Sequence, residues 1–297
     1  MIGLSMRHLR YFDSLAQHRH FGRAARACAI SQPALSLQMK ELEEVLGAPL
    51  IERGARQVRL TALGESFAVR ARDILRAVDE LKDLARASRG PLSGQLRMGV
   101  IPTIAPYLLP AVITRLAGRF PGLDLRIREA VTEKLIDALS AGELDTAIVA
   151  LPVSVPSFTE CALFEEEFVL VRPLADAALP VPHPEGLRNM RLLLLEEGHC
   201  FRDQALSFCN ISPAARRDVM EGTCLSTLVQ MVGAGQGVTL VPRMAVPIET
   251  DRALVCIARL HPPRPFRTIG MIWRSTNPLA ESFAHIGEVV RQASGAP

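Results

Sequence analysis

Nowhere in the 297 residues is there a run of about 18 apolar positions, the minimum for a helix that crosses a bilayer. Positions 1–8 also lack the apolar stretch of a secretory leader, so a cytosolic protein with no membrane partner is expected. Metal-ligand spacing is missing too: His199 and Cys200 with Cys209 supply three donors but no paired motif. Gly233-Ala234-Gly235-Gln236-Gly237 lacks the Lys-Ser/Thr of a phosphate-cradling loop and precedes a strand-like run, so it reads as a helix-to-strand turn. No pair of Asp or Glu residues has a spacing that marks it for acid–base work. No metal and no cofactor are expected.

What is present is a soluble composition, 48% hydrophobic and 22% charged, at a length that suits two or three domains. Charge is uneven. Residues 1–90 carry fifteen Lys+Arg against ten Asp+Glu, whereas the remainder carries nineteen against twenty-one. A basic N-terminal third on a near-neutral body suggests a polyanion-binding module joined to a separate regulatory part.

Leu9, Phe12, Leu15 and Ala16 recur at helical spacing, and so do Phe21, Ala24, Ala25 and Cys28. Ser31 is placed to cap a third helix, Pro33 fits its first turn, and Leu35, Met39, Leu42 and Leu46 form its buried stripe until Gly47 stops it. Two helices, a tight turn and a third helix describe a helix-turn-helix. Ser31, Gln32, Pro33, Ser36, Gln38 and Lys40 then lie on or near the leading turns of a recognition helix, where Ser and Gln read bases and Lys neutralises phosphate. Periodicity alone leaves open an ordinary helical subdomain with a solvated polar face.

Particular stretches go further. His18-Arg19-His20-Phe21-Gly22-Arg23-Ala24-Ala25, Ile30-Ser31-Gln32-Pro33-Ala34-Leu35-Ser36, Leu42-Glu43-Glu44-Val45-Leu46-Gly47 and Leu60-Thr61-Ala62-Leu63-Gly64 closely resemble the LysR-type transcriptional regulators. That resemblance implies a winged helix-turn-helix over 1–61 bound to double-stranded promoter DNA. Its wing at 50–60 would bring Arg53, Arg56 and Arg59 to the DNA backbone and minor groove, and Thr61 would cap the next helix near a phosphate.

Residues 62–89 carry an apolar seam at Phe67, Ala71, Ile74, Val78, Leu81 and Ala85, with alternating steps of four and three. A helix packed on its own domain gives the same seam. Resemblance to LysR linker helices favours pairing of subunits into a homodimer or homotetramer, which also matches a two-fold operator. The break at 88–94 opens an effector domain over 90–297.

There, short apolar runs at 96–101, 123–127, 146–151, 168–171, 192–195 and 238–241 read as buried strands alternating with helices, an α/β pattern of parallel layers. A late strand at 269–273 returns to the first part. Two subdomains follow, about 92–164 plus 269–297 and about 165–268. LysR effector domains are built this way, with a periplasmic-binding-protein-like cleft between the halves.

Six cysteines stand at 28, 161, 200, 209, 224 and 256. In a reducing compartment each is a buried, inert thiol by default, and a disulfide is more a redox device than a staple. Cys28 on its apolar helix face, Cys161 and Cys256 keep that default. Cys200 and Cys209 differ. A helix between them would hold their Cα atoms about 13 Å apart, beyond the roughly 7 Å a disulfide tolerates. Joining them therefore needs local unfolding. Cys200 sits beside His199 at a helix start, a setting that favours the thiolate that attacks peroxide.

Ile101-Pro102-Thr103-Ile104-Ala105-Pro106-Tyr107, the segment 198–209, and Gly235-Gln236-Gly237-Val238-Thr239-Leu240-Val241-Pro242 resemble the peroxide-sensing members of the same family. The resemblance implies that Cys200 is the peroxidatic thiol, Cys209 the resolving one, and that Thr103, Thr132, His199 and Arg267 line a peroxide pocket. RNA polymerase and a thiol reductant such as glutaredoxin or thioredoxin are the further partners it implies. Segment 210–220 departs from that pattern, and Cys224 stands where serine is expected, as a third thiol that either competes for the switch or is buried and silent. Two rivals remain. One is a regulator that binds a small effector in the cleft with incidental cysteines. The other is a thiol peroxidase, for which the basic N-terminal module has no purpose. A sensor whose product is a signal is not an enzyme.

Overall fold

The computed structural model describes residues 3–52, 58–87, 92–209 and 220–295. Arg53 and Arg56 of the expected wing, and 210–219 of the atypical segment, lie outside the described residues. The chain falls into two compact units, Met1–Ala85 and Arg86–Pro297.

In the first unit, α1 (Met6–His18), α2 (Phe21–Ala27) and α3 (Gln32–Leu46) pack around Phe12, Leu15, Ala24, Leu35 and Leu42, all fully buried. Their ends are set locally. Ser31 Oγ accepts from the Ala34 amide, and Gly47 leaves α3 in the left-handed region at φ 67°. Leu46, expected in the buried stripe, is 36% exposed because it falls on the last turn, beyond the α1 and α2 contacts. Glu43 Oε1 accepts from the amides of Leu50 and Ile51 at 2.7 and 3.0 Å, which fastens the base of the wing to α3. There Ile51 bridges Leu60 in antiparallel fashion.

α4 (Ala62–Ala87) begins with Thr61 Oγ1 accepting from the Gly64 amide at 3.0 Å. A Cβ on Gly64 would come within 2.2 Å of the Leu50 carbonyl oxygen, so only glycine lets helix and wing approach this closely. The apolar seam divides. Phe67 and Ala71 pack inward, whereas Ile74 and Leu81 are 44% and 65% exposed. Ala85 lies outside the residues whose side chains are described.

The second unit holds β1 (Gly94–Val100), α5 (Ala105–Arg119), β2 (Leu123–Glu129), α6 (Thr132–Ser140), β3 (Thr146–Leu151), β4 (Phe158–Pro173) and β5 (Leu193–Leu195). It continues with α7 (Cys200–Phe208), β6 (Met220–Gly222), α8 (Leu225–Gly233), β7 (Thr239–Pro242), α9 (Val246–Glu249), β8 (Val255–Ala258), β9 (Phe266–Arg274) and α10 (Ala280–Ser294). Two cores form. One gathers Met98, Leu108, Ile148, Met271 and Phe283, and the other Phe168, Leu193, Phe201, Leu228 and Leu240.

The expected parallel layers are only partly present. β1 pairs in parallel with β2 and β3, and β5 with β6, but β3–β9, β4–β9, β4–β7 and β4–β8 are antiparallel. The reason is topological: β4 carries the chain out of the first core and β9 brings it back, so these neighbours must run in opposite directions. β4 changes core between Leu163 and Phe168.

Candidate functional site

Gly198 turns the chain into α7 at φ +96°, and a Cβ there would lie 3.9 Å from Val131 Cγ2, one residue before α6. This places the start of α7, which packs on the second core, against the start of α6, which packs on the first. His199 is the N-cap residue, and Cys200 is the first residue of the helix. Cys200 is half-buried against the first core, whereas Phe201, Ala205, Leu206 and Cys209 belong to the second. Cys209 closes the helix and is 1% exposed. Both thiols are free. Nine helical steps of about 1.5 Å separate their Cα atoms by roughly 13 Å.

The two ends differ electrostatically. Burial pushes the Cys209 thiol up to about 11, with only partial relief from the Arg188 guanidinium, so in place it is protonated and a poor nucleophile. Burial also pushes His199 down from 6.5 against the opposing pull of Glu196. The imidazole is therefore neutral near pH 7, so beside Cys200 it offers a hydrogen-bonding group rather than a positive charge.

Arg267 and Glu166 face each other across β9 and β4. Arg267 Nε and Nη2 donate to Glu166 Oε2 at 2.8 and 2.7 Å, Nη1 donates to Thr103 Oγ1 at 2.8 Å, and Nη2 donates to the Thr103 carbonyl at 3.0 Å. Of the five guanidinium hydrogens, one on Nη1 has no partner among the described residues. The guanidinium carbon lies 5.6 Å from the ring centre of Phe201, the residue after Cys200. Thr103 is 3% exposed and its hydroxyl hydrogen is uncommitted among the described residues. Thr132 Oγ1 is buried with no partner there. The fold thus joins Thr103 to Arg267 directly, and brings the neighbours of Thr132 and His199 together through Val131 and Gly198.

Several participants were hidden in the sequence. Arg202, 2% exposed, donates through Nη1 to the Leu195 carbonyl and pairs with Glu221, both at 2.7 Å. Tyr107 donates to Glu249 Oε1 at 2.6 Å, joining α5 to α9; burial and that hydrogen bond hold its hydroxyl protonated. Cys224, far from buried, is exposed at the N-cap of α8, 3.3 Å from Thr227 Oγ1. Hydrogen bonds from Thr227, then from Ser226 and Thr223, lower its pKa. Arg202, seven residues before Cys209 on the same helix, and Cys224, whose partners lie within three positions, left local traces, whereas Tyr107 meets Glu249 across the fold.

In the first unit, Gln32, Ser36 and Lys40 recur every four residues, so they share one face of α3, and Ser31 and Pro33 stand exposed at its start. Lys40 Nζ lies 3.6 Å from Glu44. Gln38 is turned about 200° from Ser36 and donates to Glu41 at 2.5 Å, so it stands apart from that face. Arg59 is exposed beside the wing bridge. A capped helix presenting Ser, Gln and Lys on one open face suits insertion into a groove of DNA.

Comparison with known proteins agrees with this architecture. Residues 6–65 match the family model described as bacterial regulatory helix-turn-helix protein, lysR family, and residues 89–295 match the LysR substrate binding domain. The chain belongs to the LysR family of bacterial transcriptional regulators. Within that family it is 41% identical over 292 residues to the DNA-binding transcriptional dual regulator OxyR of Escherichia coli K12, covering 97% of this chain and 95% of that protein. It is 42% identical to a probable hydrogen peroxide-inducible genes activator of Streptomyces viridosporus, covering 97% and 94%. A full-length OxyR from Pseudomonas aeruginosa with a cysteine-to-aspartate substitution superposes with a TM-score of 0.79 at 36% identity, covering 100% of this chain and 97% of that one. A Corynebacterium glutamicum OxyR mutant with hydrogen peroxide bound gives 0.67 at 34% identity, covering 98% and 92%.

Proposed function

We propose that this chain is a DNA-binding transcriptional regulator that senses hydrogen peroxide through a reversible Cys200–Cys209 disulfide. The observation that carries the reading is the division of α7 between two cores, with one half-buried thiol at its start and one walled thiol at its end. Cys200 attacks peroxide, its sulfur becomes a sulfenic acid and hydroxide leaves. The uncommitted Thr103 hydroxyl hydrogen, Thr132 Oγ1, neutral His199 and the spare Arg267 Nη1 hydrogen are the groups that hold peroxide and stabilise the leaving oxygen. Cys209 then leaves its core and its sulfur attacks the sulfenic sulfur. The S–S bond forms, hydroxide is expelled and takes up the Cys209 proton as water. Two thiols and one peroxide give one disulfide and two waters.

The new bond cannot coexist with an intact α7, so oxidation repacks the effector unit. That repacking reorients paired DNA-binding units in a dimer or tetramer, for which the exposed Ile74 and Leu81 of α4 offer a helix-pairing seam. Gln32, Ser36 and Lys40, with Ser31 and Pro33 beside them, meet promoter DNA in the groove, Gln38 at its margin, and Arg53, Arg56, Arg59 and Thr61 meet the backbone. The chain works in the cytoplasm, where RNA polymerase reads its state and glutaredoxin or thioredoxin resets it; no helix of the described residues is long and apolar enough to cross a membrane.

The test is promoter binding and transcription with and without micromolar peroxide, with mass spectrometry of the 200–209 cross-link. Wild type responds and cross-links, and Cys200→Ser does neither. An unchanged response in Cys200→Ser would sink the thiol mechanism.

A further inference from the structure

α7 is fastened at both ends by arginines, and the two fastenings are chemically unlike. At the start, Arg202 is buried and has a carboxylate partner in Glu221. At the end, Arg188 Nε donates to the carbonyl of Cys209 at 2.9 Å, and that oxygen is its one hydrogen-bond partner among the described residues. Arg188 belongs to the short 3-10 helix Pro184–Asn189, and the preceding Leu187 is fully buried in the second core, so the arginine is held from behind. Its target is one of the helix-end carbonyls with no acceptor role inside the helix, and a cation there also complements the negative end of the helix.

We infer that Arg188 is a positioning residue that restrains Cys209 in the reduced form and thereby sets how readily the Cys200–Cys209 disulfide forms. The inference rests on the proposed peroxide switch. The Cys209 sulfur is walled on all sides and cannot reach Cys200 without leaving the core. When it leaves, its own carbonyl moves too, and the last helical bond, from the Cys209 amide to the Ala205 carbonyl at 3.0 Å, opens with it. The Arg188 bond therefore exists only before oxidation and weighs against it. The chemical balance is unchanged: Arg188 exchanges no electron or proton, its charge relieves the buried Cys209 thiol only in part, and its larger action is on the place of Cys209.

The experiment measures, in the full-length protein, the reduction potential of the Cys200–Cys209 pair and the rate at which sulfenic acid becomes disulfide after a peroxide pulse. Arg188→Ala is expected to raise both the oxidation equilibrium constant and that rate about tenfold, within reach of one hydrogen bond from a charged donor. The potential then moves about 30 mV more negative. Arg188→Lys, which keeps a charged donor, restores most of the difference, whereas Arg191→Ala, three residues further on, leaves both quantities at wild-type values. Promoter binding by the reduced variants reports that they are folded. An Arg188→Ala protein with wild-type potential and rate, or an equal shift in Arg191→Ala, overturns the inference while the wild-type cross-link still stands. A wild type that forms no 200–209 cross-link removes the parent reading and this one together.

Discussion

The two ends of α7 carry the same side chain in opposite settings. At its start, Cys200 is half-buried on the border of the first core, one residue from a ring lying 5.6 Å from the Arg267 guanidinium. At its end, Cys209 is sealed in the second core with its thiol pushed up to about 11. One helix thus separates a thiol that peroxide can meet from one that it cannot. Selectivity for the first oxidation step comes from packing, with no second chemical group needed to protect Cys209. The order of events follows as well, because the buried thiol becomes a nucleophile only after the helix that hides it has opened.

The largest way to break that contrast is at Arg267. Arg267→Met strands Glu166 as an uncompensated buried carboxylate, and should cost about 3–5 kcal/mol of stability in the effector unit. Thermal unfolding reads it, and a melting temperature equal to wild type would show that the pair is not dry.

Next comes alkaline pH at the other end. The packed Cys209 holds its proton more tightly than its ordinary value of 9.0 allows, so its contribution is fully present below pH 9 and lost as pH rises through about 11. Each unit in that window weakens the packed form by about 1.4 kcal/mol. Alkylation of Cys209 in Cys200→Ser should accelerate steeply there, beyond the growth of thiolate at an exposed cysteine.

Acid works on the start of the helix. His199 is depressed below 6.5, so its contribution is present above that pH and is lost as pH falls below it, when a buried imidazole must charge. Hydrogen exchange of the first turn of α7 should rise on acidification, and His199→Gln should flatten that rise.

The smallest effect belongs to Cys224→Ser. Serine is a good N-cap, so stability should stay within about 0.5 kcal/mol. In wild type, iodoacetamide at neutral pH should label exposed Cys224 well before Cys209; the reverse order would contradict the hydrogen-bonded thiol described at α8.

Much of this was legible in the chain. The steps of Leu9, Phe12, Leu15 and Leu35, Met39, Leu42 are the helix-turn-helix core, and the two cysteines did bracket a helix. What stayed hidden depends on contacts between distant residues. Glu166 and Arg267 are 101 positions apart, and only the antiparallel register of β4 and β9 makes them partners. The first half of β4 escaped notice because its pairing shifts between Ala162 and Phe164, which blurs the alternation that marks a strand. Cys224 was left open between a competing thiol and a buried silent one, and its exposure at the start of α8 depends on how that helix packs, which its neighbours in sequence do not reveal.

That same irregularity has a mechanical consequence. The paired strands β4 and β9 form the central ribbon of the larger sheet, with β3 beside β9 and with β7 and β8 beside β4, and run continuously from one core into the other. A ribbon resists stretching but yields to twist, and it yields first where its ladder is already interrupted. The shift at 162–164, a few residues from Glu166, is therefore where β4 takes up twist most readily, so a repacking of α7 would reach the first core more as rotation than as displacement.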